Sequence, residues 1–379
     1  MRKTILMVLV LSLPVFLSAQ CSSVCSARLY GPAQGASGPA EYVVCLPQPA
    51  ASCYNGDMIL FAHGYVAPGS PPEAWQTQLT LPDGTTLPSL VNGLGFGFAA
   101  SSFSKDGLAI LQGIQDTKAL TNVITGLHIP VHKYFVTGAS EGGLIATKSV
   151  ESDPTYGGGL AVCGPIGSFQ KQINYFGDVR VLFDYFFPGI LPPSAININS
   201  GLMANWTTVY EPAVRKAVNS NFLATLQLIS TAKIPIGLNF ANAADSITAA
   251  LWYNVFATAD AQATLGGNPY DNINTVYHGS FNDTRLNAKV ARFAATDAAP
   301  TNLEAYETTG LLGDPLVTLH TLADPVVPFW QETLYAAKAK AEGSSSKLTE
   351  IPAPQYGHCN VNAVEAGGAL LLLVLEAGI

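Results

Sequence analysis

The chain has 379 residues, 48% hydrophobic and 12% charged, with a formal net charge of -8. That length and apolar content imply a large buried core and more than one average domain, so two structural units are expected. With no basic cluster to neutralise phosphates, nucleic-acid binding is excluded.

Residues 1–20 open with Met1, Arg2 and Lys3, continue through an apolar run from Ile5 to Leu17 and end at Ser18, Ala19 and Gln20. This reads as a secretory signal peptide cut near Ala19, too short and lopsided for a membrane span. The expected location is secreted or periplasmic. Gln20 stands where a lipoprotein signal wants a small residue, which argues against a lipid anchor at Cys21. Six cysteines in an exported chain suggest three disulfides. Cys21, Cys25, Cys45 and Cys53 are expected to staple an irregular, glycine- and proline-rich leading segment, in a pairing that spacing leaves open. No Cys-x-x-Cys pair or histidine cluster has zinc-ligand spacing, so neither a metal nor a cofactor is expected.

Strands are predicted at 41–46, 58–62 and 95–101, then a helix over 106–126 opened by an acidic cap at Asp106. Next comes a short apolar strand, Tyr134-Phe135-Val136, that runs through Gly138-x-Ser140-x-Gly142 straight into a helix pattern. A serine becomes a nucleophile when a sharp turn presents its hydroxyl to a base on one side and to oxyanion donors on the other. Gly138 and Gly142 suit such a turn because a Cβ at either position would crowd the backbone. A strand over 159–163 follows. Alternating strands and helices predict a mostly parallel sheet covered by helices on both faces, an α/β fold.

From 166 to 314 the pattern turns aromatic and helical, with Phe183, Tyr185, Phe186, Phe187, Trp206, Trp252, Tyr253 and Phe256. This stretch reads as a cap, inserted between catalytic segments 21–165 and 315–379 and expected to roof the substrate pocket. The α/β pattern resumes with a strand at 316–320, a helix at 330–341, a polar turn at 343–346, a strand at 348–351 and a last helix from Val361. The run Leu370–Leu375 is short and bounded by Glu365 and Glu376, so it predicts a buried closing helix without stable membrane insertion.

A serine nucleophile on this architecture needs an acid and then a histidine later in the chain. Asp324 lies just past the penultimate strand and His358 just past the last one. Asp297 and Asp314 precede the resumed strand and would sit at its wrong end. His128 and His132 read as surface residues, His278 as structural in the cap, and His320 as support for the acid loop.

With His320, Asp324, Val327 and Pro328 in a His-x-x-x-Asp-x-x-Val-Pro pattern, the chain resembles the α/β-hydrolase superfamily over residues 40–165 and 315–379. The resemblance implies a Ser140–His358–Asp324 triad and an oxyanion hole from the Glu141 and Tyr65 backbone N–H groups, with His63 and Gly64 shaping the loop. The Gly-x-Ser-x-Gly-Gly elbow, the His358-Cys359 pair and the insertion look like the secreted tannase and feruloyl-esterase branch, although Ala139 stands where that branch has a cysteine. A disulfide between Cys163 and Cys359 is expected, since both belong at the carboxyl edge of the sheet. The implied activity is carboxylic-ester hydrolysis of a small-molecule or polymer-borne ester, with feruloyl- or tannin-like esters as candidates and no cofactor. Two alternatives are a serine peptidase of the prolyl-oligopeptidase or prolyl-aminopeptidase type and a non-catalytic binding protein on the same fold.

Overall fold

The structure, a computed structural model, describes residues 21–31 and 40–378; the expected signal peptide lies outside them. Its strands are β1 Ser22–Gly31, β2 Ala40–Gln48, β3 Asp57–Ala62, β4 Gly97–Ser101, β5 Lys133–Ala139, β6 Tyr156–Val162, β7 Leu316–Ala323 and β8 Leu348–Tyr356. They form one sheet in the order β1-β2-β4-β3-β5-β6-β7-β8. β1 and β2 pair antiparallel to their neighbours, and the rest run parallel. Parallel neighbours require crossovers, which the intervening helices supply. These include α1 Leu87–Gly93, α2 Ile110–Gly126 and α3 Glu141–Ser152 before the insertion, α4 Phe169–Phe186 and α5 Ala243–Leu265 within it, and α6 Trp330–Ala341 and α7 Ala363–Glu376 after it.

β3 is buried along its whole length, as a central strand covered on both faces must be. Its residues alternate between two cores. Met58 and Leu60 join Val136, Leu120 and Leu144 on one face, whereas Ile59 and Phe61 join Phe98, Leu160 and Leu370 on the other. The second face is closed by α1 and α7, and α7 starts on a capping box between Asn362 and Glu365. No helix of the described residues is long and apolar enough to cross a membrane.

Three elements differ from the sequence reading. The leading segment is ordered as the edge strand β1, in which Cys25 faces and bonds Cys45 while Cys21 bonds Cys53. Its sequence lacks the apolar alternation that reveals a strand, so the ladder with β2 and the two disulfides define it. Helix α2 begins at Ile110 with no side-chain cap at Ala109; the Ala109 N–H instead donates to the Glu141 carboxylate at 2.8 Å, from a different element. β8 continues five residues past Ile351 despite Pro352 and Pro354. Among the described residues it pairs only with β7, and an edge strand tolerates residues that cannot donate to a ladder.

The described residues 166–314 contain helices and loops but no strand. They enclose their own core around Val179, Phe183, Trp206, Leu228, Ile247 and Leu251. α5 lies across the carboxyl edge of the sheet. Tyr65 Oη donates to the Phe256 carbonyl at 3.3 Å, Lys105 Nζ to Thr264 Oγ1 at 2.6 Å, and the Leu108 N–H to Asp260 at 2.5 Å.

Candidate active site

Between β5 and α3 the chain reverses at Ser140, whose backbone holds φ 57° and ψ -122°. A side chain in that region is strained and persists only where its surroundings enforce it. Here the enforcement is steric. A Cβ on Gly138 would overlap the Gly142 carbonyl, and one on Gly142 would overlap the Ala62 carbonyl at the end of β3. The first turn of α3 therefore packs directly on strand backbone, and the Ser140 hydroxyl is lifted above the carboxyl edge. The fold is that of the α/β-hydrolases.

His358 follows β8 by two residues and turns back over the elbow. Its Nε2 lies 2.8 Å from Ser140 Oγ and its Nδ1 lies 2.7 Å from Asp324 Oδ2. Asp324 is fully buried, and its other oxygen accepts the N–H groups of Val326 and Val327 at 2.8 and 2.9 Å. The turn thus aims one carboxylate oxygen at the imidazole. Beneath it, buried His320 bridges the Glu332 carboxylate and the Val327 carbonyl, each at 2.8 Å. Burial opposes charge on this ring, but the hydrogen bond and charge of Glu332, with Asp324 beyond, raise its pKa. Glu332 escaped the sequence reading; the available signal was a carboxylate on a helix whose neighbours turn inward, since such a group must be paired.

Cys163 and Cys359 form a disulfide beside the imidazole, joining the end of β6 to the residue after His358. The pair is separated by 196 residues. Closing a loop of that length stabilises the fold by about 5 kcal/mol through lost unfolded-chain entropy.

The loop after β3 touches Ser140: a Cβ on Gly64 would stand 3.0 Å from the Ser140 Cβ. Gln78, on a short 3-10 helix at Ala74–Leu79, clamps this loop. Its Oε1 accepts the Gly64 N–H at 2.7 Å, and its Nε2 donates to the Tyr65 carbonyl at 3.3 Å. Nothing in Trp75-Gln76-Thr77-Gln78 distinguishes it from a surface turn. His63 is buried, stacked on Phe103 at 3.9 Å between ring centroids, with Nδ1 2.6 Å from the Gly64 carbonyl. Burial pushes its pKa down, so the ring stays neutral and shapes the loop. Among the described residues the N–H groups of Tyr65 and Glu141 have no hydrogen-bond partner. Glu141 opens α3, where orphan donors are expected.

The Glu141 side chain is buried against the start of α2. Burial pushes its carboxyl from 4.5 up to about 8; the Ala109 N–H and Lys105 oppose this, and Asp260 adds to it. Between those two values the folded chain keeps a proton that the unfolded chain releases, so stability falls as pH rises through that window. The loss is at most about 5 kcal/mol. Glu141→Gln retains an oxygen for Ala109 and removes the ionisation. It should match the wild type near pH 4 and exceed it in urea midpoint at pH 9. Parallel slopes of stability against pH in the two proteins would refute this.

A cavity of about 420 Å³ opens at Ser140, Tyr65 and His358 and runs under the sheet edge. Of residues 166–314 only Tyr253 borders it, where the sequence led us to expect a roof and much of the wall. The inserted aromatics are consumed elsewhere: Phe183, Phe187 and Trp206 fill the insertion's own core. Tyr253 stacks on Phe176 at 4.9 Å and turns its hydroxyl to Ser140.

No family model matches the chain, and no curated protein matches it in sequence. Similar solved structures include the acylaminoacyl peptidase of Pyrococcus horikoshii, at 10% identity and a TM-score of 0.47, covering 93% of this chain and 41% of that one. The rice cell wall degrading esterase LipA from Xanthomonas oryzae is 13% identical with a TM-score of 0.45, covering 93% and 88%. Esterase Pf2001 of Pyrococcus furiosus is 11% identical with a TM-score of 0.47, covering 96% and 93%. The chain thus spans about two fifths of the peptidase's length. Likeness at this level says nothing of substrate, and the fold rests on the chain's own strand order and elbow.

Proposed function

We propose that the chain is a carboxylic-ester hydrolase that works through an acyl-enzyme on Ser140. The observation that carries this reading is the continuous hydrogen-bonded line from Asp324 through His358 to Ser140 Oγ. In the reaction Ser140 Oγ attacks the ester carbonyl carbon while His358 Nε2 takes its proton. The oxyanion that forms accepts the N–H groups of Tyr65 and Glu141. Collapse breaks the ester C–O bond, and His358 returns the proton to the leaving alcohol. Water then attacks the acyl-enzyme with His358 as base, releasing the acid and restoring Ser140. Asp324 holds the imidazole tautomer and stabilises its cationic form.

An ester is favoured over a peptide because, among the described residues, no Asp, Glu, Lys or Arg borders the cavity to pair a substrate amino terminus. The triad geometry speaks for catalysis over mere binding. The three disulfides fit an extracellular or periplasmic setting, in line with the signal-peptide reading of residues 1–20. A fluorophosphonate should label Ser140 alone, as read by peptide mass mapping, and p-nitrophenyl acetate should be hydrolysed where proline p-nitroanilide is not. Faster cleavage of the anilide would favour the peptidase, and an unreactive Ser140 the binding protein.

A further inference from the structure

The cavity at Ser140 is cut into the sheet-and-helix core of the catalytic segments. Ile59, Phe98 and Leu160 on the sheet face form its floor, with Val91 of α1 and Leu370 of α7 opposite them. All five are at least nine-tenths buried and belong to one hydrophobic core. Protein interiors pack to crystal density with few voids larger than a water molecule. A cleft of about 420 Å³ that enters between two such layers, with Thr80 and Pro82 exposed on its rim, is therefore kept open for something that fills it. Ser140 and His358 border the cleft, so what fills it can belong to the reacting ester.

We infer that this chamber binds an aliphatic chain of the ester substrate, of about eight carbons, and discriminates against polyhydroxylated rings; the inference rests on the ester-hydrolase reading. A heavy atom takes roughly the room of a water molecule, about 30 Å³, so the cavity holds the ester group and a chain of that length. The walls meet the chain mostly with apolar carbon. Besides the groups at Ser140, the polar side chains on the wall are Gln78, whose amide is engaged by the Gly64 and Tyr65 peptides, Thr80, which is exposed on the rim, and Thr137, on β5 about 10 Å below Ser140 at a strand's rise per residue. Inside the chamber the buried Thr137 hydroxyl can pair one substrate oxygen. The remaining hydroxyls of a galloyl ring would be desolvated without partners, and that penalty outweighs the ring's burial.

The test compares kcat/KM for methyl acetate, methyl butyrate, methyl octanoate, octyl acetate and methyl gallate on the wild-type protein. Each methylene that enters the chamber contributes up to roughly fourfold, so methyl octanoate should exceed methyl acetate by far more than about tenfold. Preference for methyl octanoate over octyl acetate would assign the chamber to the acyl side, and the reverse to the alcohol side. Ala366 lies on α7 and borders the cavity; Ala366→Phe should lower the octyl-chain to acetate ratio by at least about tenfold. A flat chain-length profile in the wild type, or faster turnover of the gallate than of either octyl-chain ester, overturns the inference whether or not the variant folds. So does a folded Ala366→Phe protein with an unchanged ratio. Hydrolysis of none of the five would instead overturn the ester-hydrolase reading.

Discussion

Ser140→Ala and His358→Ala should each lower ester turnover by more than about 10³-fold while leaving the fold intact, because one removes the nucleophile and the other its base. Asp324→Asn should cost a comparable factor for a subtler reason. One Asp324 oxygen is occupied by the Val326 and Val327 N–H groups, so an asparagine at that position would keep its carbonyl there and turn its amide N–H toward His358. The imidazole Nδ1 would then have to accept, Nε2 would carry the proton, and Ser140 would lose its base. Single-turnover kinetics with p-nitrophenyl acetate, alongside circular dichroism, checks all three. A folded Ser140→Ala protein that keeps turnover within about tenfold of the wild type would remove the elbow from the mechanism.

Gly142→Ala should be among the most damaging small substitutions at the described glycines. The added methyl would overlap the Ala62 carbonyl. Neither side can move cheaply, since one is the first turn of α3 and the other is the end of a strand buried on both faces. Backbone overlap of this kind belongs to the class of changes that cost more than about 4 kcal/mol. Any relief must push the elbow away from the loop of Gly64 and Tyr65, separating the nucleophile from the expected oxyanion donors. Gly126→Ala is the control, because a Cβ there meets nothing within 4 Å and the residue ends a helix. It should shift stability by less than about 1 kcal/mol. Thermal midpoints and fluorophosphonate labelling rates of the two variants measure the contrast. Equal midpoints would mean that the elbow is not under the steric constraint described.

The sequence by itself determined the alternation of strands and helices, the sharp turn at Ser140 and the order of serine, acid and histidine. These are local patterns: an apolar run of strand length, glycines where side chains cannot fit, a turn after a strand. The edge strand β1 stayed hidden because its pairing with β2 and two disulfides, not its own alternation, make it a strand. Pro352 and Pro354 hid the second half of β8, since an edge position is a property of the sheet and not of the segment.

Only the tertiary structure decided what surrounds Ser140. Gln78 holds the Gly64 and Tyr65 peptides across 14 and 13 residues, and Glu141 supplies the partner that the start of α2 lacks from 32 residues away. Glu332 does the same for His320 from the next helix. Each of these polar side chains looks like ordinary surface until folding removes its water and leaves one protein partner within reach. The cavity is decided in the same way. Ile59, Val91, Phe98, Leu160 and Leu370 on its walls all read as core, and whether two apolar layers meet or stand apart depends on how α1 and α7 seat on the sheet, a relation between segments nearly three hundred residues apart in the chain.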